Sequence, residues 1–171
     1  NKLVSGIIKL MNNQVKSKAR VTDFGEVNTS EREVNAMLDL VKQETERLDS
    51  RFLEPACGDG NFLIEVLNRK LEILVKKYKK NQYEFEKNAV VVIGSIYGVD
   101  ILQDNAQSAR DRLFNRFIEV YKKHFKEYLN ENLIKSIKFI LDKNIIHGDA
   151  LTLKQVDSEN PVTFSEWAII N

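Results

Sequence analysis

Glu54-Pro55-Ala56-Cys57-Gly58-Asp59-Gly60-Asn61-Phe62 is the segment whose residue types and spacing point most directly to chemistry. Arg51-Phe52-Leu53 ahead of it reads as the end of a short strand, and Phe62 to Leu67 as the start of a helix. Glycines at a strand-to-helix turn let the backbone pass close to a ligand where any Cβ would stand in the way. The helix start adds unpaired N–H groups and a partial positive charge. The natural guest is therefore nucleotide-like, with a carboxylate or phosphate. Glu54, an acid ahead of the glycines, argues against a pyrophosphate and favours a ligand carrying an amino group.

Asp100, Asp149 and Asn171 share with Glu54 a place at the end of an expected strand. In an open α/β sheet, ligands sit at the carboxyl ends of the strands. An acid after the second strand can accept from ribose hydroxyls. One after the third can accept from an adenine amino group. Asp100 and Asp149 would otherwise read as helix caps, Thr29 as an N-cap, and Asn171 as an accident of position. Cys57, inside the turn, reads as a small buried residue rather than a nucleophile. His147 reads as a structural strand-end histidine, and His124, among lysines, as surface.

The elements that must position these residues follow from periodicity. Leu3, Ile7 and Leu10 predict a short N-terminal helix, with loops at 16–20 and 23–28. Ser30 and Glu33 form a capping box, and Val34, Met37, Leu38 and Val41 give an amphipathic helix to about Leu48. Strand one is Arg51–Glu54. The helix after Gly60 runs to about Lys79, and its lysines (Lys70, Lys76, Lys77, Lys79, Lys80) read as a solvated face. Asn81–Asn88 reads as a polar connection. The apolar run Ala89–Ile93 reads as the start of a buried strand region that resumes at Ile96–Asp100. Ala106, Ala109, Leu113, Phe117 and Val120 mark a second long helix. Leu133, Ile134, Ile137, Ile140 and Leu141 mark a third. Asn144–His147 is a third strand ending in Gly148-Asp149, and Glu166–Ile170 a fourth. Strands alternating with helices imply a parallel sheet in an α/β fold.

At 171 residues the chain is about one domain, and 43% hydrophobic with 30% charged residues describes a globular protein. The run of apolar residues that a membrane span needs is missing, as is a secretory signal. A lone cysteine leaves no internal disulfide and no metal cluster, which fits a reducing cytoplasm. A net charge of +1 makes no overall electrostatic case for nucleic acid. Starting at Asn1, the sequence reads as a piece of a longer chain.

Together these residues resemble the class I S-adenosylmethionine-dependent methyltransferases, and more closely the DNA adenine-N6 methyltransferases of restriction–modification systems. Glu54–Phe62 resembles the family's first motif, Gly98-Val99-Asp100-Ile101 its second and His147-Gly148-Asp149-Ala150-Leu151 its third. Gly25–Ser30 resembles an N-terminal cofactor motif, with Ser30 where proline is usual. Ala168-Ile169-Ile170-Asn171 resembles the approach to the catalytic motif, whose two prolines and aromatic lie beyond the chain.

The resemblance implies a Rossmann-like sheet flanked by helices, incomplete here. Residues 1–50 would be a helical segment carrying a cofactor contact, and 51–171 the first part of the cofactor domain. The long Gly60–Asp100 interval implies an extended helix and connection around 70–88. Thr29 and Ala56 would line the methionine end of S-adenosylmethionine, and Glu54 and the backbone near Cys57 would hold its amino group. Asp100 would take the ribose and Ile101 the adenine face. Asp149 and the Ala150 N–H would take the adenine edge, and Pro55, Gly58, Gly60 and Phe62 complete the first motif. Asn171 would accept from the amino group of a flipped target adenine. The resemblance implies double-stranded DNA, engaged through a C-terminal recognition region outside this chain, and needs no metal. The 171 residues alone are expected to bind cofactor weakly and to methylate nothing. Competing readings are a non-catalytic S-adenosylmethionine-binding module, a protein-glutamine methyltransferase and a nicotinamide-dinucleotide oxidoreductase. The last is opposed by Leu63, where a third glycine would stand.

Overall fold

The computed structural model describes residues 29–168. The expected helix around Leu3–Leu10, the Gly25–Asn28 part of the N-terminal motif, and Ile169, Ile170 and Asn171 lie outside the described residues. The described chain is α/β, with six helices and a four-stranded, mostly parallel sheet in the order β1-β2-β3-β4. The strands are β1 (Phe52–Glu54), β2 (Ile96–Asp100), β3 (Ile145–Asp149) and β4 (Lys154–Gln155). β1, β2 and β3 pair in parallel; β4 adds to β3 antiparallel.

α1 (Glu31–Asp39) starts at the capping box: the Glu33 N–H donates to the Ser30 hydroxyl, and the Ser30 N–H to the Glu33 carboxylate. It stops at Asp39 instead of running to Leu48, and a single turn, α2 (Lys42–Thr45), follows. α3 (Asn61–Tyr78) leaves the glycine turn as expected. The stretch read as a polar connection and the start of a strand is one helix, α4 (Gln82–Gly94). Asn81 caps it, accepting from the Glu84 N–H. Its buried Phe85, Ala89, Val92 and Ile93 recur at helical spacing, so the valine run is the inner face of a helix. α5 (Gln103–His124) and α6 (Glu131–Asn144) match the remaining periodic stretches.

Strands this short cannot accommodate helices this long on one face. The crossovers from β1 to β2 and from β2 to β3 run in the same direction, which puts α3 and α5 side by side on one face. Each overhangs the sheet, and α4 and α6 return from the overhang to its lower edge. The four helices pack in a ring, α3 on α4, α4 on α6, α6 on α5 and α5 on α3. The ring is filled by Leu71, Leu74, Phe85, Phe117, Tyr121 and Ile137, all buried.

The other face is crossed by the segment after β4. Val162 covers Gly148, the Phe164 ring meets Tyr97 edge-on at 5.4 Å, and Trp167 packs over Gly94. The Tyr97 hydroxyl donates to the Ser165 carbonyl, and the Trp167 indole N–H to Asn144 Oδ1. Glu166, Trp167 and Ala168 therefore form a strap across the sheet and not the expected fourth strand; the antiparallel β4 takes that place in the topology.

Lys70 departs from the expected solvated face. It is fully buried at the lower edge of the sheet, and its ammonium donates to the carbonyls of Arg47, Leu48 and Ser50 and to the Ser95 hydroxyl. Among the described residues, no helix is long and apolar enough to cross a membrane.

Candidate functional site

The upper ends of β1 and β2 meet around the glycine turn. The Cys57 N–H donates to the Val99 carbonyl at 2.9 Å, and the Gly60 N–H to the Cys57 carbonyl at 2.9 Å. Gly58 and Gly60 have φ of +53° and +91°, a region L side chains rarely adopt. Their surroundings differ. A Cβ on Gly60 would lie 3.1 Å from Ala109 Cβ, so this glycine lets α3 start against α5. Among the described residues, a Cβ on Gly58 would meet nothing within 4 Å, so the turn is open there. Gly98, beneath the turn, lets Cys57 and Leu63 pack onto β2.

Asp100 closes the turn from the next strand. It is buried, and its Oδ2 accepts from the Gly58 N–H at 2.8 Å. Oδ1 accepts from the Leu102 N–H at 2.9 Å and from Asn105 Nδ2 at 3.2 Å. A carboxylate offers about four acceptor positions, so among the described residues one stays open on the Oδ2 side. Asp100 thus braces the glycine turn through Gly58 and holds the chain ahead of α5 through Leu102 and Asn105.

Glu54 is half-buried at the end of β1. Burial raises its pKa, and a hydrogen bond from the Ala56 backbone works against that rise. Cys57 is buried, and burial first, then the nearby Asp100 and Glu54 charges, pushes its thiol up to about 12. A thiol held so firmly protonated is no nucleophile. Both backbone groups of Cys57 already serve the turn. Pro55 and Ala56 are exposed on the open side, and Phe62 is half-buried in the first turn of α3.

α3 begins without a capping side chain, whereas Ser30, Asn81 and Asn130 cap α1, α4 and α6. Its first N–H groups thus lack a side-chain partner from the N-cap at the open turn. Thr29 reaches the same end by way of α1. Asn35 donates to Glu65, and Arg69 donates to Asn35 and Asp39. Contacts that advance in step mean that α1 runs parallel to α3, so Thr29 and Ser30 lie level with the start of α3.

Ile101, 43% exposed, follows Asp100 at the rim. Its carbonyl is 3.1 Å from His147 Nε2, which must carry the proton because a carbonyl only accepts. Through that carbonyl His147 ties β3 to the end of β2, and its Nδ1 lies 3.4 Å from the Asp157 carboxylate beyond β4. Asp149 is turned to its own loop. Its carboxylate accepts from the Leu151 N–H at 2.8 Å and the Thr152 hydroxyl at 3.0 Å, and the Leu151 bond leads in lowering its pKa. Ala150 is half-exposed beside it.

Glu54, Ala56, Gly58, Asp100 and Ile101 are thus gathered on one ledge, with Asp149 and Ala150 on the neighbouring strand end. Three residues brace the ledge, and of these only Gly98 belongs to a motif read from the sequence. Asn105 holds Asp100, Gly98 admits the turn, and Arg112 donates to the Asp59 carbonyl and Asn61 Oδ1 and pairs with the Asp59 carboxylate at 3.1 Å. Arg112 lies about 50 residues from its partners, so only tertiary packing connects them. Among the described residues, no group of three or more His, Cys, Asp or Glu is placed to hold a metal. Comparison with protein-family models, curated proteins and solved structures found no match.

Proposed function

We propose that this chain is the S-adenosylmethionine-binding part of a class I methyltransferase that transfers a methyl group to adenine N6 in DNA. The observation that carries the cofactor reading is the ledge. An open glycine turn and an uncapped helix start lie beside a braced strand-end acid that keeps a free acceptor position.

The residues present fit such a ligand. The open side of Gly58 accommodates a group at van der Waals distance from the backbone. Glu54 suits an ammonium group, because a cation arriving at a half-buried carboxyl removes the cost of its burial. Asp100 accepts one ribose hydroxyl at its free position; a second would have to displace the Gly58 N–H. Ile101 offers an apolar face to a purine ring. S-adenosylmethionine supplies an activated methyl group, and the protein contributes position and electrostatics. The amino-adenine assignment rests on the resemblance of Ala168–Asn171 to the approach to the catalytic motif, and Asn171 is assigned the acceptor for the target amino group on that basis.

The test is calorimetric titration with S-adenosylhomocysteine, beside NAD, on the wild-type chain and on Glu54→Gln. Binding of the first ligand, weakened about tenfold in the variant and absent for NAD, is the expected result. Binding of NAD in place of S-adenosylhomocysteine overturns the cofactor reading. Labelled-methyl transfer to adenine in duplex DNA, assayed with a longer form of the protein, tests the second half. Transfer to a protein glutamine instead reassigns the substrate.

A further inference from the structure

The far tip of the helical overhang carries a second feature, independent of the ledge. α3 and α5 run parallel: Arg112 meets Asn61, Arg116 meets Asn68, and His124 lies in the field of Lys79. Their C-terminal ends therefore arrive together. α3 ends in Lys76 and Lys77, with Lys79 and Lys80 just beyond, and α5 in Lys122 and Lys123, with Lys126 just beyond. α4 starts at the same tip, because Gln82 donates to the Tyr121 hydroxyl and to the Tyr128 carbonyl, and it adds Lys87. All of these lysines are exposed.

Lysines in a last helical turn are often no more than a complement to the helix dipole. That accounts for Lys76, Lys77, Lys122 and Lys123. It does not account for Lys79, Lys80, Lys87 and Lys126, which lie outside those turns. Among the described residues, none of these lysines is paired with a carboxylate, whereas Arg47, Arg51, Arg69, Arg112 and Arg116 all are. The acids near the tip are few. Glu86 is held by Tyr121, Asn130 and Gln82, which leaves Glu84, Glu127 and Glu131 among the described residues. Two tyrosines stand out among the lysines, Tyr83 at 73% and Tyr128 at 69% exposure. A chain of net charge +1 has thus concentrated unpaired positive charge and free aromatic faces at one end.

We propose that this tip is a DNA contact, in which the lysines hold backbone phosphates and Tyr83 and Tyr128 stack on unpaired bases. Lysine-rich surfaces bind phosphodiesters without sequence preference, and exposed aromatics among them favour single strands. The contact lies apart from the ledge: the 18 residues of α3 alone span about 27 Å. The inference goes beyond the cofactor site and rests on the methyltransferase reading only in the choice of DNA as the polyanion.

The test is fluorescence anisotropy with a labelled single-stranded oligonucleotide and its duplex, at about 50 mM and about 200 mM salt. The chain is compared with a tip variant (K79E, K80E, K123E, K126E), a control (K138E, K143E) and Y83A/Y128A. Expected are single-strand binding that weakens more than about tenfold at the higher salt, a comparable loss in the tip variant, and little change in the control. Y83A/Y128A should weaken the single strand about threefold to tenfold and leave the duplex as it was. Lysine-reactive footprinting of the wild-type protein should show Lys79, Lys80, Lys123 and Lys126 protected by the oligonucleotide, a readout that does not depend on any variant folding. Absence of binding at about 50 mM salt, equal losses in tip and control variants, unprotected tip lysines, or tighter binding to phosphatidylserine vesicles than to DNA would each overturn the proposal. Binding of S-adenosylhomocysteine in the titration above is unaffected by any of these outcomes, so the two readings fail separately.

Discussion

Asp100 and Lys70 sit at opposite ends of the same parallel strands and use opposite charges for the same task. At the upper end a carboxylate collects donors: the Gly58 N–H, the Leu102 N–H and the Asn105 amide. At the lower end an ammonium collects acceptors: three carbonyls from 47–50 and the Ser95 hydroxyl. The signs follow from polarity, because loops above a parallel sheet lead into helix starts and present N–H groups, whereas loops below it present carbonyls. The two ends differ in closure. Lys70 is fully enclosed and its donors are all engaged, so its role is structural. Among the described residues, Asp100 keeps an acceptor position beside the open Gly58, and that difference turns a brace into a candidate site.

The largest effect should come from breaking the lower end. Lys70→Met leaves buried carbonyls without a partner and is expected to cost about 3 kcal/mol in chemical denaturation. S-adenosylhomocysteine affinity should survive wherever the variant is folded. Asp100→Ala should cost about 2 kcal/mol, since three donors lose a charged acceptor, and should also abolish ligand binding. A variant that binds normally would reduce Asp100 to a brace and make the two ends equivalent.

Alkaline unfolding separates the ends by sign. Burial holds the folded Cys57 thiol at about 12 against 9.0, so its contribution is fully present below about pH 9 and is lost as pH climbs toward 12. Lys70 is pulled by burial down to about 8 from 10.5, so its contribution is fully present above 10.5 and is lost as pH falls through about 8. Denaturation at stepped pH should therefore show Cys57→Ala removing a downward slope above pH 9, and Lys70→Met removing an upward slope between 8 and 10.5. Each slope is at most about 1.4 kcal/mol per pH unit. Identical pH profiles for wild type and both variants would count against both burials.

The two glycines sharpen the upper end alone, and Gly58→Ala carries the smallest effect. Gly60→Ala meets both an unfavourable φ and the Ala109 contact, and should cost about 2 kcal/mol. Gly58→Ala meets only the φ and should cost about 1 kcal/mol. Its more telling consequence would be weaker ligand binding, because the new methyl stands on the open side. Equal stability costs in thermal melts would contradict the difference between the two glycines.

Where one local signal stood alone, the sequence was legible. Ser30 with Glu33 announced a helix start, and the glycine pair marked a strand-to-helix turn that both positive φ values match. Strands at 96–100 and 145–149 fell where apolar runs met Gly and Asp, and the strand at 52–54 ended at Glu54, ahead of the glycine turn. Where two signals competed, reading failed. Val90-Val91-Val92 has the composition of a buried strand, yet Phe85, Ala89, Val92 and Ile93 also form a helical stripe, and packing against α3 and α6 favoured the helix. Lys70 looked like its exposed neighbours because only distant backbone, folded around it, supplies its acceptors.

Residue order by itself determined the capped helix, the open turn and the strand-end acids, since each depends on side chains within a few positions of one another. The tertiary structure alone decided that Asp100 braces Gly58, that Arg112 reaches Asp59, that Lys70 is enclosed, and that two lysine-rich helix ends meet at one tip. Each of these joins groups 20 or more residues apart, and no local propensity encodes a distance that exists only after the helices have packed.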